Sequence, residues 1–176
     1  MLRNLLRTAA LFMLASSLLP IAAAQQRNPS NRFEERIRKE LVKLPYYGVY
    51  DNLGFEVKGN DVILYGQVVR PSTRSEAERR VKRIEGVDNV INKIEVLPPS
   101  SFDDGIRRRV YRAIFNSGGL YRYAMGANPS IHIIVNRGHV TLDGVVSTKM
   151  DSQLAYMAAN QVPGVFSVTN NLRVER

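Results

Sequence analysis

Two histidines, His132 and His139, and two adjacent carboxylates, Asp103 and Asp104, are the residues whose types best suit acid–base, hydrolytic or metal chemistry. A hydrolytic triad needs a nucleophile, a base and a group that orients the base. The two histidines flank a single turn signal, "NRG", with no partner set around them. As a metal pair they lack a thiol, because the chain has no cysteine, and they have no obvious carboxylate beside them. Zinc usually takes three or four protein ligands, so they read as ordinary strand and turn residues. Asp103 and Asp104 read as helix caps. "GNDVILYG" and "SGG" carry glycines without a phosphate-loop continuation. Nothing here asks for catalysis, a metal or a cofactor.

Binding chemistry is a different matter. Between Asp104 and Asp143 stand six arginines (Arg107, Arg108, Arg109, Arg112, Arg122 and Arg137) and no carboxylate. A stretch of one sign attracts anions, and a guanidinium can hold a phosphate through two hydrogen bonds. In "DDGIRRRVYRAIF", helical spacing turns Ile106, Val110, Ala113 and Ile114 inward and leaves Arg107, Arg108, Tyr111 and Arg112 largely outward. Directly after it, "SGGLYRYAMGANPS" offers Tyr121, Arg122, Tyr123 and Met125. These eight side chains, from Arg107 to Met125, form the candidate binding surface. By contrast, "RFEERIRKEL" and "EAERRVKRIE" interleave both signs, as self-paired soluble surfaces do.

The elements that must position these residues come from a repeat. "NDVILYGQVVRPSTRSEAERRVKRIEGVDNVINKIEV" lies without a gap over "GHVTLDGVVSTKMDSQLAYMAANQVPGVFSVTNNLRV", offset by 78 residues. Gly66 falls on Gly144, Ala77 on Ala155, Gly86 on Gly164 and Asn92 on Asn170, with aliphatic residues matched throughout. The chain is an internal duplication. In the first unit Phe33, Ile37, Leu41 and Leu44 predict a helix capped by Asn31 and stopped by Pro45. Phe55 to Val68 alternate across "KGND" as a hairpin. Thr73 and Glu76 form a capping box for a second helix with Ala77, Val81 and Ile84 inward. Val90 to Val96 make the third strand.

The second unit repeats the order. Its helices carry Ile106, Val110 and Ile114, then Met150, Leu154, Ala158 and Val162 inward. Its strands follow Ile131–Val135, Val140–Val146 and Val165–Val174. Gly66 and Gly144, in mid-strand, mark close approach of a helix. Gly86 and Gly164 suit the left-handed residue that ends a helix. The expected fold class is α+β: two tandem αββαβ domains, each a three-stranded mixed sheet with two helices on one face. From Ile37 to Val62 is 25 residues, while from Ile106 to Val140 is 34. About nine extra residues therefore lie in the second unit's 117–130 loop, and added loop length is a usual seat of specialised function. Tyr46, Tyr47 and Tyr50 in the first unit read as rings packed at a helix–sheet edge.

The pattern "VILYGQV" and "VTLDGVV", with "IEGV…VINKI" and "VPGV…VTNNL", resembles the BON domain (bacterial OsmY and nodulation), present twice. The resemblance covers about 32–97 and 103–175. It implies a non-catalytic envelope module linked with osmotic stress and phospholipid membranes, closest in type to soluble, osmotically inducible periplasmic proteins. The chain's start agrees. "MLRNLLRTAALFMLASSLLPIAAAQQ" reads as a signal peptide over 1–24, and Pro20 with Ser16 and Ser17 leaves little length for a membrane span. Residues 25–31 then form a flexible start, 32–97 the first domain, 98–102 a linker and 103–176 the second domain. With no cysteine, a lipoprotein is not expected and no disulfide braces the fold.

Charge narrows the partners. The formal charge of +9 falls to +7 without Arg3 and Arg7. Residues 31–97 hold 13 basic and 11 acidic side chains, whereas 102–176 hold 9 and 5. The expected ligand is an anionic phospholipid surface, with other envelope proteins as alternative partners and no nucleic acid. A protein-interaction or holdase-like stress role, using sheet edges and tyrosines, is the competing reading.

Overall fold

A computed structural model describes residues 29–126 and 128–175. The expected signal peptide lies outside the described residues. The first domain runs α1 (Pro29–Val42), β1 (Asn52–Lys58), β2 (Asp61–Val68), α2 (Pro71–Val81) and β3 (Asn89–Val96). The second runs α3 (Ser101–Phe115), β4 (Ile131–Asn136), β5 (His139–Val146), α4 (Lys149–Asn160) and β6 (Ser167–Val174). A 3-10 turn, Leu120–Ala124, is added between α3 and β4. In each sheet the middle strand pairs antiparallel with the first and parallel with the third. The predicted order of elements and the mixed sheets are those observed.

The alternation of the strands puts one side of each sheet into a core. Val62, Leu64 and Val68 of β2 bury against Ile37 and Leu41 of α1 and Ala77 and Val81 of α2. Val140, Leu142 and Val146 of β5 do the same with Ile106, Val110 and Ile114 of α3 and Ala155 and Ala159 of α4. The second core is further filled by Leu120 and Tyr123 from the added segment.

Helix starts differ from those expected, each for a local reason. α1 begins at Pro29, so Asn31 lies inside it. α2 begins at Pro71, whose fixed φ and missing N–H suit a first turn. Thr73 is therefore inside the helix and buried, and no side chain caps its start. α3 begins at Ser101, within the stretch expected as linker, because the Ser100 hydroxyl accepts from the Asp103 N–H. Asp103 thus does not cap: its carboxylate accepts from the Arg137 and Gly138 N–H groups, at 2.8 and 2.9 Å. It clamps the β4–β5 turn onto α3.

The glycines also have other reasons than those expected. A Cβ on Gly66 or Gly144 would collide with the carbonyl oxygen of Asn52 or Ser130, at the start of the neighbouring strand, not with a helix. Both hold a φ near the far right of the map, +118° and +128°. Gly86 and Gly164 have positive φ but lie beyond the helix caps. Each is the third residue of a turn closed by Val87 N–H to Ile84 O or Val165 N–H to Val162 O.

The two domains meet through the segment between α1 and β1. The Ile133 N–H, on the outer edge of β4, donates to the Val49 carbonyl at 2.7 Å. His132 places Nδ1 at 3.2 Å from the Gly48 carbonyl and its ring against Tyr47. Tyr50 meets Tyr111 of α3 edge-on. Of the tyrosines expected as packing in the first domain, Tyr47 does pack on its core while also meeting His132, Tyr50 packs against the second domain instead, and Tyr46 stays exposed beside Arg70.

Candidate functional site

α3 presents its arginines in three directions, because successive helical positions differ by about 100°. Arg107 points inward and is only 3% exposed. Its guanidinium donates to the Val135 carbonyl at 2.7 Å and to Asp104 at 2.5 Å. The expectation that Arg107 faces outward is therefore wrong. A carbonyl at the end of β4 and a carboxylate one turn back supply partners that only the fold brings near. Arg109 leans toward α4 and donates to the Pro163 carbonyl. Arg108 and Arg112 stand at the exposed crest.

Tyr111 is half-buried, edge-on to Phe115 and Tyr50. It braces the domain junction and offers little to a ligand. Tyr123 is 7% exposed, a second correction to the candidate set. Its hydroxyl donates to Asp151 at 2.9 Å and accepts from the Ser147 N–H at 2.8 Å. Arg122 also reaches Asp151, at 2.8 Å, so the carboxylate missing locally in sequence is supplied by α4. Asp151 is held below the usual carboxylate range, first by the Thr148 hydroxyl and then by Tyr123 and Arg122. This network ties the added segment to the start of α4. It leaves Tyr121 and Met125 in solvent, 64% and 67% exposed.

The outward cations of the two domains differ in company. Laying Ile37 over Ile106 puts Lys39 and Lys43 at the places of Arg108 and Arg112. Lys39 pairs with Glu35 at 3.1 Å, and Lys43 lies 4.0 Å from Glu40. On α2, Arg79 and Arg80 bond Glu76, and Lys82 bonds Glu78 at 2.6 Å. Among the described residues Arg108 and Arg112 have no carboxylate partner. Of the eight predicted side chains, the fold displays Arg108, Arg112, Tyr121, Arg122 and Met125.

Sequence reasoning missed part of this surface on α4. Met150, Leu154 and Ala158 were expected in the core, yet Ala155 and Ala159 take that place. Met150 is 68% and Met157 48% exposed. The signal was present in the ungapped repeat: Ala77 lies on Ala155, so the buried stripe of α2 fixes that of α4. At the far end of the domain Phe102 and Phe166 form a second exposed aromatic contact, with His139 against Phe166.

Among the described residues no group of three or more His, Asp or Glu side chains could hold a metal ion. No helix among them is long and apolar enough to cross a membrane. Comparison with solved structures returns CdsD, a structural protein of the type III secretion system of Chlamydia trachomatis. Its C-terminal domain is 10% identical, with 81% of this chain and 96% of that one covered and a TM-score of 0.34. A second CdsD structure is also 10% identical, with 82% and 92% covered and a TM-score of 0.33. No curated protein matches the chain. The model of the BON domain matches twice, over residues 31–98 and 102–176. With both of its αββαβ units so matched, the chain belongs to the BON domain family.

Proposed function

We propose that the protein is a non-catalytic, exported envelope protein that binds anionic phospholipid surfaces through its second domain, in the service of envelope integrity under osmotic stress. The observation that carries this reading is the pair Arg108 and Arg112. They lie one turn apart on an exposed face, where like charges at i and i+4 destabilise a helix by about 0.2–0.5 kcal/mol. The same positions in the first domain are neutralised by Glu35 and Glu40. An external anion lying against both side chains would relieve that repulsion. Near an anionic membrane each such side chain gains roughly 1 kcal/mol, which supports weak, reversible, salt-sensitive binding.

The test is sedimentation of the mature protein with liposomes of phosphatidylglycerol and phosphatidylcholine, against phosphatidylcholine alone. The native protein is expected to sediment only with the charged liposomes and to be released by salt. Arg108→Ser with Arg112→Ser should abolish that binding without lowering the melting temperature, since both side chains are exposed and their mutual repulsion is removed. Equal sedimentation with neutral lipid, or full binding by the double variant, would turn attention to protein partners. That second reading is favoured by β6, whose outer edge is open and whose residues are nearly all exposed.

A further inference from the structure

The repeat supplies its own control for α4. From Ser72 to Ile84 the first unit reads "STRSEAERRVKRI", and from Met150 to Val162 the second reads "MDSQLAYMAANQV". Both helices bury the same two positions, Ala77 and Val81 in α2 and Ala155 and Ala159 in α4. Outside that stripe α2 and the turn that follows it carry seven charged side chains, from Arg74 to Arg83, five of them in the helix and several joined in ion pairs. The outer positions of α4 carry only Lys149, at its first residue. Met157 stands where α2 has Arg79, Leu154 where it has Glu76, and Tyr156 where it has Glu78. The one carboxylate of α4, Asp151, is buried and bonded to Thr148, Tyr123 and Arg122.

Met150, Leu154, Met157 and Ala158 fall at i, i+4, i+7 and i+8, a single line along the helix. Its middle is half-covered, since Leu154 lies against Gly118 at the end of α3. Its ends, Met150 and Met157, are open. Ala158 and Gln161 face Arg109 and Arg112 of α3 across a shallow groove. An exposed methionine line beside Arg112, which has no carboxylate partner among the described residues, with no free carboxylate on either helix, matches a surface that is apolar below and anionic above. Methionine is unbranched and adapts to a disordered neighbour. At 12 residues the helix spans about 18 Å, too short to cross a bilayer and suited to lying along one.

Resting on the lipid-binding reading above, we propose that α4 is the element that enters the bilayer. It lies flat at the headgroup–acyl boundary with Met150 and Met157 downward, while Arg108 and Arg112 of α3 hold the headgroup phosphates. The arginines bring the protein to the surface, and the methionines give it depth. A protein partner or a second copy of this chain is the rival occupant, and the test separates them.

The chain has no cysteine, so one introduced thiol is a unique labelling site. An environment-sensitive fluorophore is attached to Met157→Cys and, as control, to the aligned Arg79→Cys. With phosphatidylglycerol vesicles the first label should brighten, shift to the blue and be quenched by lipids spin-labelled high on the acyl chain, while the second stays in water. In unlabelled protein, Met150→Gln with Met157→Gln should weaken partition roughly tenfold or more with the melting temperature kept. If the native protein sediments with vesicles while the Met157 label stays in water, the α4 assignment is wrong and lipid binding stands. If the native protein fails to sediment at all, both fall. A Met157 label already shielded without lipid, in a protein that sediments as a dimer, assigns the stripe to a second copy and overturns the proposal.

Discussion

At the scale of single residues, Gly144 is fixed by two separate constraints. Its φ of +128° strains any side chain, and a Cβ there would strike the Ser130 carbonyl oxygen. Gly144→Ala is therefore expected to cost about 2 kcal/mol or more, seen as a clear drop in melting temperature. A variant that melts like the parent would show that the strand pair yields. Arg107 makes a contrasting case. Its charge is buried against the Val135 carbonyl and Asp104, so Arg107→Ser should destabilise by about 2–3 kcal/mol without a specific loss of lipid binding. Denaturant unfolding with liposome sedimentation checks both halves of that statement. The sequence shows that a glycine is required and that arginines cluster. It does not show which backbone atom crowds the glycine, or that the first residue of "RRR" turns inward, because both depend on a strand distant in sequence.

At the scale of elements, the added segment is held by the Tyr123 hydroxyl together with the Arg122–Asp151 pair and the burial of Leu120. Tyr123 donates to Asp151 and accepts from the Ser147 N–H, both out of solvent. Tyr123→Phe keeps the ring in the core and leaves that N–H without its partner, at a cost of about 1–3 kcal/mol. The variant should melt lower and be cut faster by protease within 117–126; equal cutting rates would show that packing of Leu120 and the Tyr123 ring, with the Arg122–Asp151 pair, holds the segment without the hydroxyl. The strands and the order of elements were legible because alternation and the repeat act locally. Helix starts were less so. Ser100 and Pro71 displaced the expected caps by a few residues, since several hydroxyls and carboxylates in each stretch compete for one role. The inward line of α4 was misread for a physical reason: its exposed face is also apolar, so periodicity alone could not tell inside from outside. Only the alignment of Ala155 with Ala77 carries that information.

At the scale of the whole molecule, the junction between the domains contains its own titratable group. His132, on the edge strand of the second domain, sits against Tyr47 and the Gly48 carbonyl of the first, with Asp51 and Asp143 as the neighbouring carboxylates. Burial lowers the His132 pKa from 6.5 and pushes the Tyr47 hydroxyl up to about 12. Asp51 is raised, chiefly by burial, although it accepts from the Val69 and Gly48 N–H groups. For a histidine whose folded pKa lies below its unfolded value, the unfolded chain binds more protons as pH falls below about 6.5. Stability is then lost in that window, down to the folded pKa. Asp51 acts oppositely and lower, gaining a proton in the folded state above its ordinary 3.8. The net expectation is a melting temperature that declines from pH 7 toward pH 5, with the slope reduced in His132→Gln. Hydrogen exchange locates the effect: the Ile133 amide, bonded to Val49 across the junction, should lose protection over the same range while core amides such as Leu142 keep theirs. If Ile133 and Leu142 lose protection together, the domains do not part at this seam and the histidine reports only global unfolding. If Ile133 alone opens, acid frees the edge of β4 and loosens the hold of the first domain on the face that carries Arg108 and Arg112.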